Sequence, residues 1–153
     1  ALSTALRIFF FTSSKVPGTI EEVNVRVIGD TEGNLGEVSL FVRAKEDDIL
    51  INETAAVFTE ESPISVQGIG IRHTKDYVEK VTLRPEYRSE EYTTASGKTA
   101  VFVYEEYEED TFGNRWLVGA VVDGAVYYEL SILYYPEDLE RAEELMREWC
   151  EQF

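Results

Sequence analysis

The sequence predicts an α+β fold in which a single twisted antiparallel β-sheet is covered on one face by a C-terminal amphipathic helix. Apolar and polar residues alternate over much of residues 20–134, which is typical of half-buried strands. An Asp123-Gly124 dipeptide joins two such runs, as in a tight hairpin. Helical spacing of apolar residues becomes clear only after Pro136.

The length and composition predict one folded domain, residues 1–153. A chain of 153 residues with 44% hydrophobic side chains can bury a core of ordinary size and is too apolar to be disordered. Residues 1–19 show no pattern that predicts their structure. No apolar run approaches the about 20 residues of a membrane helix, so we expect no transmembrane segment in this chain. Because the first residue is Ala1 rather than Met, we expect a processed or trimmed product.

The first predicted hairpin joins strands Ile20–Ile28 and Val38–Ala44 through the glycine-containing stretch 29–36. In the first strand the valines at positions 23, 25 and 27 share one face. The middle of the chain predicts further short strands, which are Asp48–Ile51, Thr54–Phe58, Ile64–Arg72 and Tyr77–Leu83. We expect residues 86–98 to form a connector and Thr99–Tyr107 to form the next strand.

The last predicted hairpin joins Arg115–Val122 to Ala125–Tyr134 through a type I′ turn, with Asp123 and Gly124 both at positive φ. A helix over 136–152 follows, with Pro136 at its first position. Apolar residues form one stripe along it: Leu139, Ala142, Leu145, Met146, Trp149 and Phe153. The stripe predicts that Trp149 packs on the sheet.

The charge distribution limits the classes of partner. With 30 acidic and 14 basic side chains the formal net charge is −16, so we expect no direct binding of nucleic acid. The charge can serve solubility alone, or it can attract a basic protein or cations. The densest acidic run, which we expect to form a patch at a strand end, comprises Glu105, Glu106, Glu108, Glu109 and Asp110.

No residue pattern indicates catalysis, a metal site or a cofactor. His73 is the only histidine and Cys150 the only cysteine, and Cys150 falls on the last helical turn, where a small core residue is expected. The segment 30–34 is similar to a calcium loop, but the EF-hand template fails at positions 35 and 41. A weaker cation site remains an alternative, built from Asp30, Glu32, Asn34 and Glu37.

Two glycine motifs also fail as nucleotide sites. Gly68-Ile69-Gly70 lacks the third glycine of a dinucleotide fingerprint, and Gly97-Lys98-Thr99 lacks the upstream spacing of a P-loop. We therefore expect a protein that is not an enzyme and that uses no cofactor.

Aromatic residues concentrate in the last three strands. They could line a groove or face a partner, and the alternative is ordinary packing within the sheet and core. The residues that we predict for a ligand or partner surface are Tyr104, Tyr107, Trp116, Tyr128 and Tyr134.

A short series of motifs resembles a known family over about the last third of the chain. The motifs are the Gly97-Lys98-Thr99-Ala100 strand, Trp116, the Asp123-Gly124 turn, the tyrosine-containing strand after it and the closing helix. They are similar to an uncharacterised envelope domain of Gram-positive bacteria, found in lipoproteins and at the outer end of membrane-bound anti-sigma factors. The same ending also resembles the PsbP-like fold.

The resemblance implies a non-enzymatic extracytoplasmic domain that binds or senses a protein or small ligand. The alternative is a cytoplasmic immunity or inhibitor protein whose acidic surface blocks a basic toxin or nuclease. The resemblance favours the cell envelope, and the charge alone allows the cytoplasm.

Overall fold

The structure is a computed structural model of the chain. It describes residues 16–29, 35–57, 71–73, 78–80, 87–105, 113–124 and 126–153. Three members of the candidate cation site, Asp30, Glu32 and Asn34, lie outside the described residues, as do the glycine pair at 68 and 70 and positions 106–110 of the acidic run.

Seven of the described strands form one antiparallel sheet, which confirms the predicted α+β architecture. Its strands are ordered β1-β2-β3-β9-β8-β7-β6. The N-terminal strands of this sheet are β1 (Thr19–Gly29), β2 (Leu35–Glu46) and β3 (Ile49–Val57). The C-terminal strands are β6 (Tyr87–Thr93), β7 (Thr99–Glu105), β8 (Arg115–Asp123) and β9 (Val126–Tyr134). Two meanders therefore meet where β3 pairs with β9.

Strands β4 (Ile71–His73) and β5 (Val78–Lys80) pair with each other in a second, two-stranded antiparallel ribbon. Strand β5 lies beside β7 and β8. The ribbon is thus associated with the C-terminal half of the sheet.

The C-terminal helix crosses one face of the sheet. A 3₁₀ turn, Pro136–Asp138, leads into helix α1 (Leu139–Cys150), which contacts β8 and β9. Its apolar stripe faces the sheet except at Leu139, which is exposed, and its buried residues are Ala142, Leu145, Met146, Trp149 and Cys150. The prediction that Trp149 packs onto the sheet is confirmed, because its side chain is 0% exposed.

The helix approaches the sheet closely over Gly119 of β8. A Cβ atom at this position would overlap the Sδ atom of Met146, which lies on the buried face of the helix. The missing side chain at Gly119 therefore creates the space that Met146 fills.

Charged contacts fix the helix at both ends. Arg141 donates two hydrogen bonds to Glu46 at the end of β2, at 2.9 and 2.8 Å. Near the other end, Glu151 accepts hydrogen bonds from the Tyr92 hydroxyl at 2.5 Å and from the Ala95 backbone N–H at 2.9 Å. These contacts connect the helix to both halves of the sheet.

Several element boundaries differ from the sequence prediction. The predicted connector 86–98 contains strand β6, which pairs with β7 along its whole length. The two strands predicted over 48–58 are one strand, β3, which pairs with β2 and β9 along its length. The chain turns directly before it at Asp47, which adopts a positive φ of 50°. Short polar residues such as Asp adopt this conformation more readily than most.

The hairpin between β8 and β9 is confirmed, but its turn is one residue later than predicted. Asp123 pairs with Val126, so Asp123 belongs to β8 and not to the turn. Gly124 has a φ of 62°, whereas Asp123 ends the strand and does not have a positive φ. The glycine takes the left-handed position, as its lack of a Cβ favours.

Candidate functional site

Three of the predicted surface tyrosines lie on the helix-covered face of the sheet. Tyr104, Tyr128 and Tyr134 are each buried, and all three belong to the core cluster that includes the helix. Trp116 is half-buried on the opposite face, and Tyr107 lies outside the described residues. The structure thus does not bring the five aromatic residues together, and packing accounts for the three buried tyrosines.

Tyr104 is held by a charged network at the β6 edge of the core. Its hydroxyl donates to Glu90 at 2.7 Å, and the Arg88 guanidinium lies 3.9 Å from the ring centroid. Arg88 also forms an ion pair with Glu90 at 3.0 Å. Burial, followed by the hydrogen bond to Glu90, raises the pKa of Tyr104. The hydroxyl therefore stays protonated and serves as a hydrogen-bond donor.

A second aromatic group lies under the C-terminal end of the helix. Phe153 packs against Tyr128 and Trp149, with ring centroids 4.6 and 5.1 Å apart. The Trp149 indole N–H donates to Glu53 at 2.8 Å, and Glu53 is 1% exposed. Burial, with smaller contributions from Asp123 and Glu53, raises the pKa of Tyr128 to about 12.

Of the predicted acidic patch, only Glu105 belongs to the described residues. Its carboxylate accepts a hydrogen bond from the backbone N–H of Trp116 at 3.2 Å, so it contributes to the pairing of β7 with β8. The other members, Glu106, Glu108, Glu109 and Asp110, lie outside the described residues.

The face of the sheet opposite the helix carries a group of polar side chains at its centre. On β9, Tyr127, Glu129 and Ser131 occupy alternate positions and therefore share this face. On β3, Thr54 pairs with Glu129 and Asn52 pairs with Ser131. We refer to these five residues as the polar cluster.

Glu129 is the centre of the polar cluster. The Tyr127 hydroxyl donates to Glu129 Oε2 at 2.7 Å, and the Ser131 hydroxyl donates to Oε1 at 3.3 Å. Burial raises the pKa of Glu129, although both hydroxyl hydrogen bonds act in the opposite direction. The loss of hydration thus has a larger effect on the pKa of Glu129 than the two hydrogen bonds have. No described basic side chain forms an ion pair with this carboxylate.

Two further members extend the set of hydrogen-bond acceptors. The Asn52 Oδ1 atom is buried and accepts no hydrogen bond. Thr54, directly opposite Glu129, is partly exposed. Burial, followed by the charge of Glu129, raises the pKa of Tyr127, so this residue acts as a donor to Glu129. The polar cluster therefore offers oxygen acceptors around a partly buried carboxylate.

The remaining candidates for chemistry give no comparable arrangement. Cys150 is fully buried, and burial raises the pKa of its thiol to about 12, so the reactive thiolate is disfavoured. Among the described residues, no three His, Cys, Asp or Glu side chains come close enough together to hold a metal ion. In the same part of the chain, no helix has the length and apolar character of a membrane span.

The polar cluster was missed at the sequence level, although a signal was present. In Val126–Tyr134, Glu129 is the only charged residue of a strand otherwise rich in apolar side chains. Alternation places it on the face shared by Tyr127 and Ser131, and this pattern could have been singled out. The contribution of Asn52 and Thr54 depends on the pairing of β3 with β9, which brings together segments far apart in sequence.

Comparison of the chain with models of protein families, with curated proteins and with solved structures finds no match.

Proposed function

We propose that the protein is a non-enzymatic binding or sensing domain whose ligand surface includes the polar cluster. The observation that carries this proposal is the position of Glu129, a carboxylate on the face of the sheet away from the helix. A carboxylate whose pKa is raised by burial, and that has no described ion-pair partner, marks a candidate functional site.

The contrast within this face supports the proposal. Toward β7 and β8 the face is apolar, and Val101, Val103, Val118 and Ala120 are all buried there. Toward β3 and β9 it becomes polar and partly exposed. Polar side chains are ordinary at partly exposed positions, but a carboxylate that, among the described residues, is held only by neutral hydroxyl groups is costly there, and a binding surface would explain it.

The proposed location is extracytoplasmic and associated with the cell envelope, as a lipoprotein or membrane-anchored protein. The resemblance of the C-terminal motifs to the Gram-positive envelope domain supports this part of the proposal. Fractionation of the source cells with an antibody to the protein tests it, and recovery in the envelope fraction is the expected result. Recovery in the cytoplasmic fraction alone would contradict it.

A ligand screen observed by NMR tests the binding surface. Compounds and peptides of different charge are added to isotope-labelled protein, and shifts of the backbone amide resonances are mapped onto the sequence. We expect a true ligand to shift the amides of β3 and β9 around Asn52 and Glu129. A ligand whose shifts are confined to other regions, such as the 94–98 turn, would contradict the proposed surface.

The second candidate function is an acidic immunity or inhibitor protein in the cytoplasm, and the net charge of −16 favours it. Complementary charge would accelerate association with a basic toxin, and the rate would fall as salt rises beyond a Debye length of about 8–10 Å. The test is to reverse Glu105, Glu106, Glu108 and Glu109 to Lys and to capture partners from a cell lysate. Recovery of one basic protein by the wild type, and its loss with the reversed variant, would favour this function.

A further inference from the structure

We propose that the polar cluster binds a primary ammonium group, with Glu129 as its counter-ion. This inference rests on the proposed function, because it names the ligand chemistry of the same surface. It goes further, because it excludes neutral and anionic ligands at this position and assigns a role to individual side chains.

The first step of the argument concerns charge. Glu129 is held on both carboxylate oxygens by neutral hydroxyl groups, and its loss of hydration is not offset by a described cation. A positive charge at this position would recover Coulomb energy that the folded protein lacks, and it would favour the ionised carboxylate. An anion would instead meet an uncompensated carboxylate.

The second step concerns the balance of donors and acceptors. Asn52 Oδ1 is a buried acceptor without a donor, in the row next to Glu129 on the same face. A buried acceptor without a partner is costly, so a donor that reaches it stabilises the complex. A 180° rotation of the amide about its last side-chain bond turns the oxygen toward a ligand and leaves the NH2 group in the buried position. The ligand that fits carries several N–H donors.

The third step distinguishes an ammonium from a guanidinium group. A guanidinium binds best when both oxygens of one carboxylate accept its planar fork. Each oxygen of Glu129 already accepts a hydroxyl hydrogen bond, so a fork would need the remaining lone pair of both oxygens at once, whereas an ammonium needs only one. An ammonium is compact and has three donors that need not lie in one plane, so one can reach Glu129 while another reaches Asn52.

One basic side chain of the described part of this face, that of Arg43, is already engaged. Arg43 on β2 pairs across from Asn52, but its guanidinium forms an ion pair with Glu22 at 3.2 Å and also lies over the Phe41 ring. Arg43 therefore does not supply the charge that Glu129 lacks.

The experiment uses n-butylammonium chloride as the probe and compares it with tetramethylammonium chloride and sodium chloride at equal ionic strength. The protein variants are Glu129→Gln and the matched control Glu91→Gln. Glu91 lies in the same cross-strand row as Glu129, on β6, and is exposed, so the control removes one charge from the same face. Binding is followed by the amide resonances of β3 and β9 and by the carboxyl carbon resonance of Glu129.

We expect n-butylammonium to shift these amides and to lower the pKa of Glu129, whereas tetramethylammonium, which has no N–H donor, has a clearly smaller effect. Glu129→Gln should weaken binding at least about tenfold, the size expected for a lost charge-assisted hydrogen bond. The Glu91→Gln variant should bind n-butylammonium with the same affinity as the wild type. A blocked Gly-Lys-Gly tripeptide identifies the source of the ammonium group: tighter binding than n-butylammonium indicates a lysine of a protein partner, and weaker binding indicates a free amine.

Equal effects of n-butylammonium and tetramethylammonium, or equal loss of binding in both variants, would overturn this inference. If instead a neutral or anionic compound from the screen binds at β3 and β9, the inference fails while the proposed function stands. If every ligand of the protein maps to other surfaces, the proposed function fails as well.

Discussion

Two glutamates in adjacent rows of the same strand pair lie on opposite faces of the sheet. Glu53 on β3 pairs with Leu130 and faces the helix, whereas Glu129 on β9 pairs with Thr54 and faces away from it. Glu53 is 1% exposed, and Glu129 remains partly exposed. The same residue type therefore occupies two different environments separated by the thickness of one sheet.

The hydrogen-bond donors to these two carboxylates differ in whether they can rotate. Glu53 accepts from the Trp149 indole N–H, whose direction is fixed by a buried ring on the helix. Glu129 accepts from two hydroxyl groups, and a hydroxyl can rotate its hydrogen toward another acceptor. A ligand could thus replace or share the donors of Glu129 without moving the backbone. The comparison separates a carboxylate that stabilises the fold from one that can exchange partners.

The largest expected effect tests the helix-covered face. Trp149→Ala should lower the free energy of unfolding by about 3–5 kcal/mol, because it leaves a cavity and removes the indole donor to Glu53. Denaturant titration measures the loss. The matched control is Trp116→Ala, which truncates the other tryptophan at a half-buried position on the opposite face. The control should lose clearly less stability.

A loss well under about 1 kcal/mol for Trp149→Ala would contradict the role of this residue in the core. A larger loss for Trp116→Ala than for Trp149→Ala would reverse the comparison, because the face away from the helix would then contribute more to folding than the helix-covered face.

A smaller effect is expected where the helix approaches the sheet. Gly119→Ala should destabilise the protein by about 1–3 kcal/mol, because the new methyl group overlaps Met146. The double variant with Met146→Ala should lose less stability than the sum of the two single losses, since the smaller side chain makes room for the methyl group. Strict additivity of the two losses would contradict the expected overlap between a methyl group at position 119 and the Met146 side chain.

Local patterns in the sequence predicted the features that depend on neighbouring residues. The stripe on the helix identified Trp149 as a core residue, and the glycine at position 124 identified the last hairpin. The turn was predicted one residue early because Asp-Gly and Gly-x turns share the same sequence signal. Strand β6 was missed because its seven residues, Tyr-Arg-Ser-Glu-Glu-Tyr-Thr, contain few apolar side chains, and it depends on pairing with β7.

The candidate site was less predictable than the fold. Tyr104, Tyr128 and Tyr134 were selected as a surface for their aromatic character, but burial under the helix is a tertiary property that alternation alone does not assign to one face. The polar cluster joins residues 52 and 54 to residues 127–131, and this juxtaposition requires knowledge of which strand lies beside β9. Sequence patterns give the face of each residue within its strand, but not the neighbouring strand.

The smallest expected effect is a pH dependence that arises from Glu129. Its pKa in the folded protein is raised above the ordinary value of 4.5, because burial disfavours the charged form. Below the unfolded pKa the carboxyl is protonated in both states and no penalty arises. As the pH rises from about 4.5 through the higher folded pKa, the folded protein must lose this proton at a cost, so the contribution of Glu129 to stability falls.

The measurement is the difference in melting temperature between Glu129→Gln and the wild type across this pH range. Glutamine has no proton to lose, so the stability of the variant relative to the wild type should increase with pH and then level off above the folded pKa. Glu91→Gln provides the baseline for loss of one carboxylate from the same face. A difference that does not change with pH would contradict the desolvated state of Glu129. Saturating n-butylammonium should also reduce the pH dependence of the wild type, because a bound cation stabilises the ionised carboxylate of Glu129 and offsets its desolvation penalty.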